Sequence, residues 1–237
     1  MNSGIEVQNL KVKISNKLIL DGVNLNVEKG AFSVLIGANG SGKSTLLKTL
    51  CGLQKFEEGH IKILGKNLKE TEKSAVGYVP QSNVSEKNSP ISVYQAVSVG
   101  RYARNGIFKK FNESDKKIVN NAIRAAQIEH IANSPLGEIS GGEAQKVSIA
   151  RVLAQQPEII LLDEPQSSLD PNSQKTFLGF IEKLYSAFKF TCLMVSHDID
   201  VIPCCCDKVF MLKDRKIILE TDNADIKEKA AKLNVYD

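Results

Sequence analysis

Two hydrophobic patterns occur along this 237-residue chain, and each predicts a different kind of β-strand. Near the beginning, apolar and polar residues alternate over residues 5–10 and 23–27, which is typical of half-buried antiparallel strands. Farther along, continuous apolar runs predict strands of a parallel sheet that is covered on both faces. These runs span residues 32–36, 158–163 and 191–196, and further strands are predicted at 209–212 and 216–220 with a turn between them.

Helices are predicted after several of these strands, because apolar residues recur there on one helical face. The predicted helices span residues 44–53, about 140–155 and 171–188, with another after His197. Between about 82 and 155 no strong strand pattern occurs, and helical stretches near 91–99 and 113–127 are predicted instead. Asn112 or Ser114 could cap the second of them. An inserted helical subdomain is therefore expected in a chain of strands and helices.

A glycine-rich segment joins the apolar run at 32–36 to the next predicted helix, and it matches the phosphate-binding pattern G-x-x-x-x-G-K-S/T. A strand, a tight turn and a helix in this order aim backbone N–H groups and the positive helix end at one point. The segment consists of Gly37, Ala38, Asn39, Gly40, Ser41, Gly42, Lys43, Ser44 and Thr45. The alternative, a chance glycine turn, does not explain the strand and helix around it. We therefore expect a bound nucleoside triphosphate, with Lys43 on its β- and γ-phosphates and Ser44 on Mg²⁺.

Two carboxylates, Asp163 and Glu164, end the apolar run at 158–163. Ligands of a doubly wound sheet lie at the carboxyl ends of its strands, so Asp163 is expected to reach the Mg²⁺ beside Ser44. Glu164, one residue later, is placed to accept a proton from an attacking water. A solvated turn after a core strand is the alternative.

A second anion site is predicted where Ser140, Gly141, Gly142 and Glu143 precede a helix. A hydroxyl, backbone donors and the helix dipole coincide there, although the same residues also form ordinary helix caps.

The amino-acid composition restricts the class of protein but does not indicate a binding partner. The chain is 42% hydrophobic and 24% charged, and its net charge of +4 is too small to indicate nucleic acid. No apolar run has the length of a transmembrane helix, and the first residues lack the regions of a signal peptide, so a cytoplasmic protein is expected. Five cysteines without paired spacing fit a reducing compartment. Three of them are adjacent at 204–206, where buried residues ending a helix are favoured over a metal site.

The motifs occur in the order seen in ATP-binding cassette (ABC) proteins, and the chain resembles the nucleotide-binding subunit of an ABC transporter over nearly its whole length. In chain order, they are the loop 37–45, Gln81 after 77–80, the signature Ser140–Glu143, the Asp163–Glu164 pair, and residues 168–170 and 195–198. The resemblance implies one ABC nucleotide-binding domain over residues 1–237. Pattern and resemblance together predict an α/β fold, a phosphate-loop NTPase core whose mixed, mainly parallel sheet is flanked by helices. The core covers 1–81, including an N-terminal antiparallel strand region, and about 156–220; the helical subdomain covers about 82–155, and 221–237 form a short tail.

The resemblance also implies a homodimer whose subunits face each other head to tail. Each ATP would lie between the loop 37–45 of one subunit and the signature Ser140–Glu143 of the other. Gln81 would touch Mg²⁺ and the attacking water, joining Ser44 and Asp163 around the metal. His197 would contact the γ-phosphate as a catalytic residue beside Glu164, and Asp170 would communicate across the dimer.

Three positions depart from the family pattern. Ile139 replaces a leucine at the start of the signature, and Gln166 occupies a position where threonine or phenylalanine is commoner. Ile14 falls near the position of the aromatic residue that usually stacks on adenine. Losing that aromatic contact is expected to weaken nucleotide binding by about 1 kcal/mol.

The segment after Gln81 resembles importer subunits that serve manganese, zinc or iron, and the related group that handles siderophores, haem and cobalamin. We therefore expect an ATPase that energises import of a metal ion or metal chelate through a separate permease, with a substrate-binding protein and without nucleic acid. It would lie on the cytoplasmic face of the membrane, and the basic residues Arg101, Arg104, Lys109 and Lys110 are either solvated or close to anionic headgroups. Another substrate, export, or a soluble ABC ATPase outside transport are the alternatives.

Overall fold

The computed structural model describes residues 3–81, 90–106, 110–167 and 169–225. Ten strands are present in these ranges: β1 (Ser3–Ile14), β2 (Lys17–Glu28), β3 (Phe32–Ile36), β4 (Glu58–Ile63), β5 (Lys66–Asn67), β6 (Val76–Val79), β7 (Ile159–Asp163), β8 (Thr191–Ser196), β9 (Lys208–Lys213) and β10 (Lys216–Asp222). The same ranges contain six α-helices: α1 (Lys43–Leu50), α2 (Val93–Ser98), α3 (Tyr102–Asn105), α4 (Glu113–Ala125), α5 (Gly141–Gln155) and α6 (Pro171–Phe188).

The strands form two sheets. Strands β2, β1, β4 and β5 make an antiparallel sheet in that order, with β1 in contact with both β2 and β4. The second sheet has the order β10-β9-β3-β8-β7-β6, in which only β10 is antiparallel to its neighbour. The predicted α/β class with a mainly parallel sheet and an N-terminal antiparallel region is confirmed. The helix predicted after His197 is wrong, since a single 3₁₀ turn over Ile199–Val201 follows that residue.

The six-stranded sheet separates two apolar cores. Phe32, Val34 and Ile36 of β3 pack with the helical layer, whereas Leu35 of the same strand packs against α1 and the antiparallel sheet. Every residue of β3 and β7 is buried for this reason. The continuous apolar pattern of these strands therefore reflects burial on both faces.

The parallel strands β3, β7 and β8 end at the same edge of this sheet. Ile36 pairs with Ser196, and Asp163 pairs with Val195, so the residues that follow these strands are neighbours in space. Strand β6 lies beside β7 and ends two residues before Gln81. The loop after β3 and the polar residues after β6, β7 and β8 therefore lie together at the carboxyl-terminal edge of this sheet.

Arg101 contradicts the prediction that it belongs to an exposed basic stretch. Its side chain is buried, and Nε lies 3.0 Å from Oδ1 of the buried Asp115. Another guanidinium nitrogen donates to the carbonyl oxygen of Ala154 at 2.7 Å. Asp115 in turn forms a capping box with Asn112 at the start of α4. Arg101 thus joins three helical segments, while Arg104 and Lys110 are exposed and Lys109 lies outside the described residues.

Replacing Arg101 by methionine should lower the free energy of unfolding by about 3–5 kcal/mol, because it leaves the carboxylate of Asp115 buried without its cation. Urea denaturation followed by circular dichroism measures this loss. Arg104→Met is the matched control, since it removes an exposed guanidinium from the next turn and should change stability by less than about 0.5 kcal/mol. Equal losses in the two variants would contradict the structural role of the buried pair.

The three adjacent cysteines lie in a turn before β9 and do not end a helix. Cys204 is exposed and only Cys206 is fully buried, so the expectation of buried residues at a helix end is wrong for this segment. In the described ranges, no three His, Cys, Asp or Glu side chains are grouped to hold a metal ion. The same ranges contain no helix that combines the length and hydrophobicity needed to cross a bilayer.

Candidate nucleotide-binding site

The backbone conformation of the loop between β3 and α1 requires glycine at two positions. Gly40 and Gly42 have φ angles of 78° and 110°, in the left-handed region that favours glycine. A Cβ on Gly42 would also lie 2.8 Å from Cδ2 of Leu20. Gly42 is the N-cap of α1 and offers no side-chain acceptor to the first helical turn. The N–H groups of that turn are therefore available to an anion.

Lys43, the first residue of α1, is buried and folds back over the loop. Its Nζ donates to the carbonyl oxygens of Gly37 at 2.8 Å and Ala38 at 3.0 Å. It also lies 3.6 Å from Oε1 of Glu164. Burial lowers the pKa of Lys43, and the neighbouring carboxylates oppose that shift. The site thus contains a partly desolvated cation within the phosphate-binding loop.

Asp163 connects the loop to the end of β7. Its Oδ1 accepts a hydrogen bond from the Ser44 hydroxyl at 2.8 Å, and its Oδ2 accepts one from the Tyr78 hydroxyl at 2.9 Å. The carboxylate is buried, and no ion pair within the described residues involves it. A buried carboxylate whose two hydrogen-bond donors are neutral hydroxyls suits a small divalent cation, and Mg²⁺ prefers oxygen ligands of this kind. Ser44 and Asp163 could therefore hold Mg²⁺.

Glu164 brings two other predicted residues together. Its Oε2 accepts a hydrogen bond from Nε2 of Gln81 at 3.0 Å and lies 3.2 Å from Nδ1 of His197. The side chain of Glu164 is buried, and its φ of 46° lies in the left-handed region, which is costly for a residue with a Cβ. Gln81 contacts Glu164 in this structure, whereas its predicted neighbours Ser44 and Asp163 contact each other.

A cavity of about 510 Å³ lies in front of the loop, and neither Asp163 nor Tyr78 is among the residues that line it. Its lining consists of Ile19, Asn39, Gly40, Gly42, Lys43, Ser44, Thr45, Gln81, Glu164, Ser167 and His197. A second cavity, of about 420 Å³, adjoins the other side of the loop and is lined by residues 17–19, 38–41 and 212–215. Ile14 lines neither cavity; its side chain is 40% exposed at the end of β1.

The signature residues lie away from this cavity and form a closed helix cap. Ser140 is the N-cap of α5, and its hydroxyl donates to Oε2 of Glu143 at 2.6 Å. Hydrogen bonds from Ser140 lower the pKa of Glu143, and His130 lies 3.3 Å from its other oxygen. Gly141 and Gly142 open the helix. Within one copy of the chain, the signature residues are therefore not among those that line the loop cavity.

Asp170 acts as a helix cap in the structure. Its Oδ1 accepts hydrogen bonds from the backbone N–H groups of Asn172 at 3.1 Å and Ser173 at 3.2 Å, at the start of α6. The bonds from Ser173 lower its pKa. Ser168 of the same motif lies outside the described residues.

Sequence reasoning missed Tyr78 as a member of the site. The only available signal was a hydroxyl-bearing aromatic residue in a short apolar strand, three positions before Gln81. Nothing in that pattern shows that the hydroxyl reaches the end of a neighbouring strand. The register of β6 against β7 supplies this information.

Comparison with known proteins decides the family. Residues 20–167 match the family described as ABC transporter. The chain belongs to the ABC transporter family. The predicted resemblance is confirmed, and the matched region contains the loop, the signature and both carboxylates of this ABC protein.

Two curated relatives match this ABC protein over most of its length. The zinc uptake system ATP-binding protein of Listeria innocua is 34% identical over 221 residues, which cover 92% of this chain and 85% of that protein. The manganese transport system ATP-binding protein of Halalkalibacterium halodurans is 33% identical over 226 residues, covering 95% of this chain and 89% of that protein.

Two solved structures match the fold. The CbiO1 protein of Clostridium perfringens, part of the ABC transporter complex CbiONQ, has a TM-score of 0.84 and 30% identity, covering 100% of this chain and 96% of that one. An ATP-binding cassette solved as a dimer with ADP and phosphate has a TM-score of 0.76 and 28% identity, covering 92% and 98%. This ABC protein is accordingly an ATPase of the ABC transporter family and resembles the ATP-binding subunits of transporters.

Proposed function

We propose that this chain hydrolyses ATP to energise uptake of a metal ion or metal chelate through a separate membrane permease. The proposal of ATP hydrolysis rests on the buried carboxylate of Glu164, which faces Lys43, Gln81 and His197 at one edge of the sheet. The transported class is supported by the two relatives named for zinc uptake and manganese transport, which match nearly the whole chain.

In this proposal, the loop 37–45 binds the triphosphate. The free N–H groups at the start of α1 bind phosphate oxygens, and Lys43 exchanges its contacts with Gly37 and Ala38 for the β- and γ-phosphates. Thr45 and Asn39 line the same cavity. Because burial has already removed much of the water around the ammonium, its attraction for phosphate is stronger than at an exposed site.

Ser44 and Asp163 hold Mg²⁺, with Gln81 as the third predicted ligand. When bound, the metal neutralises charge on the phosphate oxygens. The hydrogen bond between the Ser44 hydroxyl and Asp163 keeps both oxygen atoms on the same side of the site before any ligand arrives. Gln81 would bind the metal through the oxygen of its amide, whose nitrogen donates to Glu164 in this structure.

Glu164 accepts the proton of the attacking water. Its Oε2 is held by Gln81 and His197, and its Oε1 faces Lys43, so the carboxylate has a fixed direction. His197 is half-exposed at the cavity and is the residue placed to contact the γ-phosphate when nucleotide is bound. The strained backbone of Glu164 fits a residue whose position matters more than its local stability.

The complete site is proposed to need a second copy of the chain. Ser140, Gly141, Gly142 and Glu143 lie outside the loop cavity, and they would meet the ATP held by a partner's loop. Asp170 at the start of α6 would contact the partner. The dimeric cassette with ADP and phosphate supports this arrangement.

The remaining partners follow from the same proposal. A permease carries the cargo across the membrane, a substrate-binding protein delivers it, and this subunit lies on the cytoplasmic face through its contact with the permease. The helical subdomain, about residues 82–155, transmits closure of the ATP site. Nucleic acid has no role.

This function is tested by measuring whether a loaded binding protein stimulates ATP hydrolysis. The chain is purified with its co-expressed permease, placed in liposomes, and its ATPase rate is measured with binding protein loaded with zinc, manganese or iron. We expect one of these metals to raise the rate several-fold above that with unloaded binding protein. The complex carrying Glu164→Gln should show neither the basal nor the stimulated rate. If a cargo without metal stimulates the ATPase rate and none of the three metals does, the proposal of metal uptake is wrong.

A further inference from the structure

We infer that the Tyr78 hydroxyl is a positioning group that sets the affinity of the nucleotide site for its metal by fixing the Asp163 carboxylate. The inference rests on the proposed function, because it concerns the Mg²⁺ that Ser44 and Asp163 are proposed to hold. Tyr78 is not among the residues that line the cavity in front of the loop. It acts through Asp163 alone.

The register of the sheet makes this contact possible. Tyr78 lies on β6 opposite Leu161 of β7, and Asp163 is two residues farther along β7 on the same face. The length of the tyrosine ring covers that distance, so its hydroxyl meets Oδ2 of Asp163 at 2.9 Å. A phenylalanine at this position would fill the same volume without a donor.

The hydrogen bond decides which carboxylate oxygen faces the metal position. Tyr78 occupies Oδ2, which leaves Oδ1 directed at the Ser44 hydroxyl, 2.8 Å away. The two hydroxyls are the hydrogen-bond donors that the structure shows for this carboxylate. Without Tyr78, the buried Oδ2 would have an unmet acceptor, and rotation of the carboxylate would move Oδ1 away from Ser44.

The tyrosine is suited to hold this position. Its ring packs against the core between the sheet and α1, so the hydroxyl does not swing to solvent. A phenol keeps its proton at physiological pH, so the Tyr78 hydroxyl can donate to Oδ2 of Asp163. Three residues later the same segment supplies Gln81 to Glu164, so one stretch of chain contacts both carboxylates.

The test compares Tyr78→Phe with wild type in the full chain. Binding of a fluorescent, non-hydrolysable ATP analogue is titrated in EDTA and then with increasing Mg²⁺, and Mn²⁺ binding to the analogue complex is followed by electron paramagnetic resonance. We expect the half-saturating Mg²⁺ concentration to rise about tenfold, as is common when an outer ligand partner is lost. The Mn²⁺ affinity should fall by the same factor, while binding of the analogue in EDTA stays as in wild type.

Tyr185→Phe is the matched control. The Tyr185 hydroxyl donates to the carbonyl oxygen of Gly30 at 2.6 Å, at the opposite end of β3 from the loop. This variant also loses a hydrogen bond from a tyrosine hydroxyl, but one to a backbone carbonyl outside the site, and it should bind Mg²⁺ and Mn²⁺ as wild type does. A tenfold loss in Tyr78→Phe alone supports the inference.

Two results would overturn it in distinguishable ways. If wild type shows Mg²⁺-dependent binding and Tyr78→Phe has the same half-saturating concentration, the positioning role of Tyr78 fails and the proposed metal site stands. If wild type binds the analogue equally with Mg²⁺ and with EDTA, the proposed metal site itself fails, and the inference fails with it. Thermal unfolding of both tyrosine variants checks that a lost metal affinity does not reflect an unfolded sample.

Discussion

Glu164→Gln should reduce the rate of ATP hydrolysis by roughly 10²- to 10⁴-fold while ATP binding is retained. Glutamine keeps the shape of the side chain and an oxygen that can accept from Gln81, but its amide cannot take a proton from water. Phosphate release measures the turnover, and titration with a fluorescent ATP analogue measures the binding. Because bound ATP is no longer consumed, the variant should also elute as a dimer on a sizing column when ATP and Mg²⁺ are present.

Glu158→Gln provides the matched control for this experiment. Glu158 is exposed, pairs with Lys29 at 2.9 Å, and lies one residue before β7, at the end remote from the loop. Its replacement by glutamine should leave turnover unchanged. Hydrolysis at the wild-type rate by Glu164→Gln would refute the role of Glu164 as the proton acceptor, and a monomer at high protein and ATP concentration would count against the ATP-bound dimer.

Lys43→Ala should weaken ATP binding by about 100-fold or more, because it removes charge-assisted hydrogen bonds to the phosphates from a site with little water. The substitution also leaves Glu164 without the ammonium that now lies 3.6 Å from it, so a carboxylate would repel the incoming triphosphate. Isothermal titration calorimetry with ATP and Mg²⁺ measures the loss. Lys48→Ala, which removes an exposed lysine from the same helix α1, should bind ATP as wild type does.

A Lys43→Ala variant that keeps its ATP affinity would contradict phosphate binding by this loop. The contacts of the lysine, with the carbonyl oxygens of Gly37 and Ala38 and with the carboxylate of Glu164, all lie within this same site. Circular dichroism of both lysine variants separates a binding defect from a folding defect.

Elements buried on both faces, or closed by strong caps, could be predicted from the sequence. The run 32–36 became β3, and the prediction 171–188 matches α6, where Asp170 caps the helix and Pro171 starts it. By contrast, β4, β5 and β6 were not predicted. They are short or polar, and they depend on strands distant in the chain, as β4 does on β1. At Gly77 in β6, a Cβ would lie 2.3 Å from Cγ1 of Val152, a constraint that comes from packing alone.

The same distinction applies to the site. The residues of the loop and the two carboxylates follow each other in recognisable order, and local sequence was enough to name them. The partners of Asp163 and Arg101 were not accessible in this way, because Tyr78 is 85 residues from Asp163 and the carbonyl of Ala154 is 53 residues from Arg101. The charge pattern alone therefore assigned Arg101 to the surface, although its guanidinium is buried and paired with the carboxylate of Asp115.

The shared position of β3 between two cores has a consequence for movement. Val34 faces one layer and Leu35 the other, so any shift of the helical layer or of the antiparallel sheet is resisted by the same five-residue strand. The loop that follows this strand is thus joined to both layers through one short element. We expect phosphates bound there to keep their position relative to β3 when either layer shifts during a transport cycle.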